Sequence, residues 1–211
     1  MNSVSYKVAE LFILYILIPI SLVLDTSIWI KLILGVLGFI YVIYILLRVQ
    51  NNTFKISKTL NWSAFWKRTS LTLFAIIMVT IPFVFFTQKD LLFEVLLNNF
   101  KLWILILFVY SVFSVYPQEL IFRTFFFQRY ESLFKDRRLL IFVNAIVFSL
   151  AHLFFRNALV MVITFIGGLL FGLTFFKTRS TLLVSIEHAI YGSWLFTVGM
   201  GNMLGFPASD F

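Results

Sequence analysis

Four ionisable residues interrupt the long apolar runs of this sequence: Glu119, His152, Glu187 and His188. His152 lies near the end of one run, and Glu187 and His188 lie in the middle of the last. Glu119 opens a stretch flanked by Leu120–Phe122 and Phe125–Phe127. If such runs lie in lipid, an ionisable group within one costs ~2.5–3.5 kcal/mol on insertion scales, so its default reading is functional. Carboxylates and imidazoles are also the side chains that take a proton from water and return it during bond cleavage, or that relay protons through a membrane.

Helical spacing sorts these groups. Glu119 and Arg123 are four residues apart, share a helix face and can pair. A structural ion pair is the simplest account of both, although a buried pair adds little net stability. Gln118 sits about 100° round the helix; its amide donates and accepts hydrogen bonds but cannot act as a base. His188 and Gly192 are also four apart, and the glycine leaves space beside the imidazole. Glu187 points about 100° away from His188, toward the face of Tyr191 and Val184. A single buried histidine is usually a hydrogen-bonded core residue. Two histidines, the only ones in the chain, together with two carboxylates predict one polar, water-accessible cavity that both imidazoles face.

The elements that must hold these groups are membrane helices. The chain is 61% hydrophobic and 12% charged, against about 45–50% and about 25% in soluble domains; lipid must cover its surface. Seven helical segments are predicted: Val4–Leu24, Ile28–Leu47, Thr69–Phe86, Leu102–Tyr116, Leu139–Phe155, Ala158–Phe176 and Thr181–Met200. The fourth can continue past Pro117 into the run from Gln118 to Phe134. No ten-residue alternation of barrel type is present. The expectation is an all-α, polytopic transmembrane helical bundle of about seven membrane helices, a single transmembrane domain over residues 1–211. Gly168 and Gly172 form a small-xxx-small pair that lets a neighbouring backbone approach closely.

Charge distribution sets the expected orientation. Basic blocks follow the second helix (Arg48, Lys55, Lys58, Lys67, Arg68), the fourth (Arg123, Arg129, Lys135, Arg137, Arg138) and the sixth (Lys177, Arg179). With the N-terminus inside, all three blocks and Lys7 are cytoplasmic, as the positive-inside rule requires. The net charge of +8 is explained by this bias and implies no nucleic-acid partner. Glu10 lies close enough to the start of the first helix to reach the interface. The N-terminal run has no small-residue cleavage site near Ser21–Thr26 and is expected to remain as a membrane helix. The absence of cysteine excludes disulfides, thiolate metal sites and a cysteine nucleophile.

The order of the polar residues resembles the CPBP family of CAAX-processing and bacteriocin-processing (Abi-type) intramembrane metalloproteases. Its Glu-Glu-x-x-x-Arg motif is approached by Gln118-Glu119-Leu120-Ile121-Phe122-Arg123. Its Phe-x-x-x-His motif is matched by Phe148-Ser149-Leu150-Ala151-His152. Its His-x-x-x-Asn motif is met by His188 alone, with Gly192 in the last place. The similarity covers about residues 117–201, the motif-bearing protease core. It implies hydrolysis of a peptide bond by activated water, in a membrane peptide or lipid-modified peptide, and an expected location in a bacterial cytoplasmic membrane. In the family the first glutamate and the second-motif histidine are thought to activate water. The third-motif His and Asn are thought to stabilise the oxyanion, and the second glutamate and the arginine look structural.

Two departures bear on the chemistry. Gln118 cannot take a proton, so any hydrolysis must rely on Glu119 or Glu187; Glu187 is slightly favoured because Arg123 already accounts for Glu119. Gly192 removes an oxyanion donor, a loss that commonly costs ~2.7–4 kcal/mol. A divalent metal such as zinc follows from the family's classification as metalloproteases, with His152 and His188 as candidate ligands; two His and a carboxylate can bind zinc with an open position. Two other functions compete. One is a catalytically impaired relative that binds membrane peptides as a scaffold or immunity protein. The other is a small transporter or proton relay, against which stands the lack of paired halves with Gly/Pro-broken helices.

Overall fold

A computed structural model describes residues 3–50 and 60–202. Lys55 and Lys58 of the first basic block lie outside the described residues. Every regular element among the described residues is helical. The long helices are α1 (Val4–Val23), α2 (Ile28–Arg48), α3 (Trp62–Thr87), α4 (Phe100–Leu133), α5 (Arg137–Leu150), α6 (Ala158–Thr178) and α7 (Thr181–Thr197). Six spans are long and apolar enough to cross a membrane; they comprise α1 to α4, α6, and α5 extended through the turn to Phe155. The molecule is an integral membrane protein. α7 has 17 residues and would rise about 25 Å, less than a ~30 Å hydrocarbon core.

Most helices begin where a short polar side chain can accept a hydrogen bond from an otherwise orphaned backbone N–H. Ser27 caps α2, Asn61 caps α3, Asn99 caps α4, Asp136 caps α5, Asn157 caps α6 and Ser180 caps α7. α7 ends near Gly199, whose φ of +97° and closeness to the Leu91 carbonyl oxygen suit a residue without a side chain.

α4 is the least regular helix. Its first π-helical stretch is Tyr110–Val115 and its second is Leu120–Phe125, on either side of Pro117-Gln118-Glu119. Proline supplies no N–H to the carbonyl four residues earlier, and π segments inside helices concentrate at functional sites. The helix does continue past Pro117, to Leu133.

The chain divides into two compact units. The first comprises Met1–Ile56 and Glu119–Arg179, and the second Ser57–Gln118 and Ser180–Phe211. In the first unit, Tyr15 of α1 packs edge-on against Phe122, Phe126 and Tyr130 of α4. Its hydroxyl donates to the Ile121 carbonyl at 2.6 Å. Asn144 of α5 donates to the Phe122 carbonyl at 2.5 Å. These side chains bind carbonyls of the second π stretch. The glycine pair acts as expected: a Cβ on Gly168 would lie 2.8 Å from the Ala145 Cα, and one on Gly172 would lie 3.3 Å from Asn144. α5 and α6 are thus held at backbone distance.

The buried charges of this unit are paired within the protein. Glu10 is buried. Its carboxylate pairs with Arg129 Nε at 2.7 Å and accepts from the Tyr130 and Tyr41 hydroxyls. Arg123 and Arg129, assigned from sequence to a cytoplasmic basic block, are fully enclosed. Neither is a loop charge, because α4 extends through both. The orientation argument therefore rests on the remaining basic residues.

Candidate active site

In the first unit, Glu119 and Arg123 form the ion pair that their spacing allows, with Arg123 Nε 3.2 Å from Glu119 Oε2 and both side chains fully enclosed. The Arg123 guanidinium also stacks over Phe148 at 4.2 Å and faces Phe171 at 5.5 Å. Ring faces carry negative potential and offset part of the cost of burying a cation. His152 packs against the same Phe148 ring, with centroids 4.9 Å apart. Phe148 therefore lies in contact with both Arg123 and His152, which gives the phenylalanine of the Phe-x-x-x-His spacing a physical role. Phe155 stacks on the imidazole at 6.1 Å.

His152 sits just beyond α5, at φ −98° and ψ 5°, in the sparsely populated bridge region where many active-site residues are found. Its Nδ1 is 2.8 Å from the Phe148 carbonyl oxygen. A carbonyl only accepts, so Nδ1 carries the hydrogen and Nε2 is the basic nitrogen of the neutral ring.

In the second unit, His188 is buried on α7. Its ring meets Tyr110 of α4 edge-on at 6.1 Å, and Tyr110 packs on Phe196 at 5.0 Å. A Cβ on Gly192 would overlap the Tyr110 hydroxyl and ring. Tyr110 was not singled out by sequence; the only signals were the glycine four residues after His188 and a tyrosine in an apolar run. Glu187 faces a different helix. Its Oε1 lies 3.5 Å from Arg68 of α3 and 3.1 Å from the Tyr191 hydroxyl, which is itself 3.3 Å from the Thr69 carbonyl oxygen. The direction toward Tyr191 is the one that helical spacing gives. Gln118 donates from Nε2 to Ser114 Oγ at 2.8 Å, and its Oε1 is buried with no hydrogen-bond partner among the described residues.

The structure thus groups Glu119, Arg123 and His152 in one unit and His188, Gly192 and Tyr110 in the other. Residues 99–194, which contain all these positions, match the family model for type II CAAX prenyl endopeptidase Rce1-like proteins. This stretch is similar to the CAAX-protease family. The CAAX-protease match runs from the start of α4 to Trp194 of α7, a little under half of the chain. No curated protein and no solved structure matches the chain.

The CAAX-protease resemblance raised a divalent metal. Among the described residues, no group of three or more His, Asp and Glu side chains is disposed to hold one. The donor set among the described residues of either unit does not fit a resident metal.

Proposed function

We propose that the protein is an intramembrane endopeptidase that hydrolyses a peptide bond near the C-terminus of a lipid-modified membrane peptide. The observation that supports this most is the family match over α4 to α7, on residues that pack His152 and Arg123 against the same Phe148 ring. In this reading water attacks the scissile carbonyl carbon and a C–O bond forms. The carbonyl π electrons move to oxygen, and His152 Nε2 accepts the proton. The tetrahedral intermediate collapses with cleavage of the C–N bond, and the proton passes from His152 to the leaving amine. Gln118 cannot serve as the base, because its amide cannot take a proton.

Glu187 and Glu119 now have equivalent structural explanations, one in Arg68 and the other in Arg123. We assign the carboxylate role to Glu119, because Arg123 and Phe148 connect it to His152 within one unit. A recess of about 290 Å³ in the second unit, lined by Ser111, Val112, Tyr116, Ser185, Ile186 and Ala189, suits an apolar side chain or tail near His188. The protein is proposed to reside in a bacterial cytoplasmic membrane with its N-terminus inside.

The test is cleavage of membrane-anchored peptides by the full chain in liposomes, with prenylated C-termini in one set and leader-type peptides in another. Glu119→Gln is expected to abolish cleavage when compared at equal folded amounts, and Glu187→Gln to leave it. The reverse result transfers the carboxylate role to Glu187. Activity kept after dialysis against a chelator supports the metal-free scheme; activity lost and restored by zinc overturns it. Peptide binding without cleavage by both the starting protein and Gln118→Glu replaces the whole reading with that of a scaffold.

A further inference from the structure

Arg156 closes the turn that carries His152. α5 ends at Leu150, so His152 lies beyond its regular backbone ladder, and the 3-10 turn Leu153–Phe155 follows directly. The imidazole leans on this turn, because Phe155 stacks on it with the ring planes 18° apart. Arg156 ends the turn at φ +51° and ψ 34°, a left-handed conformation uncommon for a residue with a side chain. The Arg156 guanidinium reaches across to α1. Its Nη2 donates to the Val23 carbonyl oxygen at 2.6 Å and lies 3.1 Å from Asp25 Oδ1. Val23 is the last residue of α1, and the final carbonyls of a helix have no partner within it. A cation there also meets the negative end of the helix dipole. The end of α1, Ile18–Val23, packs on the same turn. Both sides of this contact belong to the first unit.

We propose that Arg156 is a positioning residue for His152, tying the turn that carries the imidazole to the C-terminal end of α1. This rests on the hydrolase reading above, in which His152 Nε2 takes the proton from water. Arg156 acts through the turn and not on the reacting atoms. With the turn tied down, Phe155 cannot swing away, and the imidazole stays against Phe148 and Phe155 with Nδ1 on the Phe148 carbonyl. The Val23 carbonyl is the main anchor. The Asp25 side chain is 95% exposed, so its pairing is screened by water and weak. The backbone at position 156 would suit glycine, so an arginine there is explained by what its side chain binds. α1 lies outside the family-matched residues 99–194, and this contact gives that outlying helix a part in the geometry of the site. Displacing a catalytic group by about 1 Å can cost about 10²-fold in rate.

The experiment uses the full chain in liposomes and compares Arg156→Gly with the starting protein. Glycine adopts the same backbone conformation freely and removes only the anchor. Peptide cleavage should fall by about 10–10²-fold in kcat, with KM, accumulation and melting temperature unchanged. Arg156→Lys keeps a cationic donor for the Val23 carbonyl and should regain most of the rate. A second readout needs no activity. The chain has two histidines, and with only these labelled for NMR, Arg156→Gly should shift or broaden the His152 ring signals and leave those of His188. An active starting protein with an equally active Arg156→Gly variant overturns the proposal and leaves the hydrolase reading standing. Arg156→Lys as slow as Arg156→Gly also overturns it. A folded starting protein that cleaves nothing overturns the hydrolase reading, and the NMR signals then decide the positioning: His152 signals unmoved in Arg156→Gly overturn it, and displaced ones sustain it. If Arg156→Gly does not accumulate, Arg156→Met is compared with Arg156→Lys, and equal rates overturn the proposal.

Discussion

At the level of single residues, the strongest constraint is charge in a medium that does not solvate it. Arg123 and Glu119 are both enclosed and 3.2 Å apart, so removing one partner strands the other. Arg123→Ala should cost about 3–5 kcal/mol and reduce folded protein, as read by monodisperse yield in detergent. Combining Glu119→Gln with Arg123→Leu should restore part of that yield, since it removes both charges. The pair was legible from spacing alone. Phe148 in contact with both Arg123 and His152 was not, because the contact joins residues of α4 and α5 that no local pattern links. The burial of Glu10 was missed for a similar reason. Position along α1 put it near a helix end, while its partner Arg129 lies 119 residues away.

At the level of helices, small residues decide how closely two backbones approach. The Gly168–Gly172 spacing predicted such a contact, although which helix would fill it required the structure. A side chain at Gly168 meets the backbone of Ala145 at 2.8 Å, and backbone cannot swing aside as a side chain can. Gly168→Val should therefore destabilise the α5–α6 pair by about 1–3 kcal/mol, seen as a lower melting temperature in detergent. Gly35→Val on α2 is the control: a Cβ there meets nothing within 4 Å. Most helix starts lie within two residues of the expected ones, but α3 begins at Trp62, seven residues before the expected Thr69. The second π stretch of α4 was not readable, because its carbonyls at Ile121 and Phe122 are bonded by Tyr15 and Asn144 from other helices.

At the level of the whole molecule, hydropathy gave the fold class and left the crossing number open at its shortest helix. α7 carries His188 yet is only 17 residues long. If α7 crosses, cysteines placed at Asn52 and Ser209, both outside the described residues, should react from opposite sides of the membrane. Reaction from one side would give an even number of crossings. The orientation expected from charge keeps its support from Lys7, Lys135, Arg137 and Arg138, although Arg123 and Arg129 no longer count toward it. The function was legible as an ordered set of motifs and not as a mechanism, because Gln118 and Gly192 depart from the pattern where proton transfer and oxyanion binding would be supplied. The central claim is that His152 Nε2 takes the proton from the attacking water. The most direct measurement is the rate of peptide cleavage by His152→Ala beside the starting protein, both in liposomes and at equal folded amounts. The account predicts a fall of about 10²–10⁴ in rate with peptide binding retained. Cleavage by His152→Ala at the starting rate would contradict it.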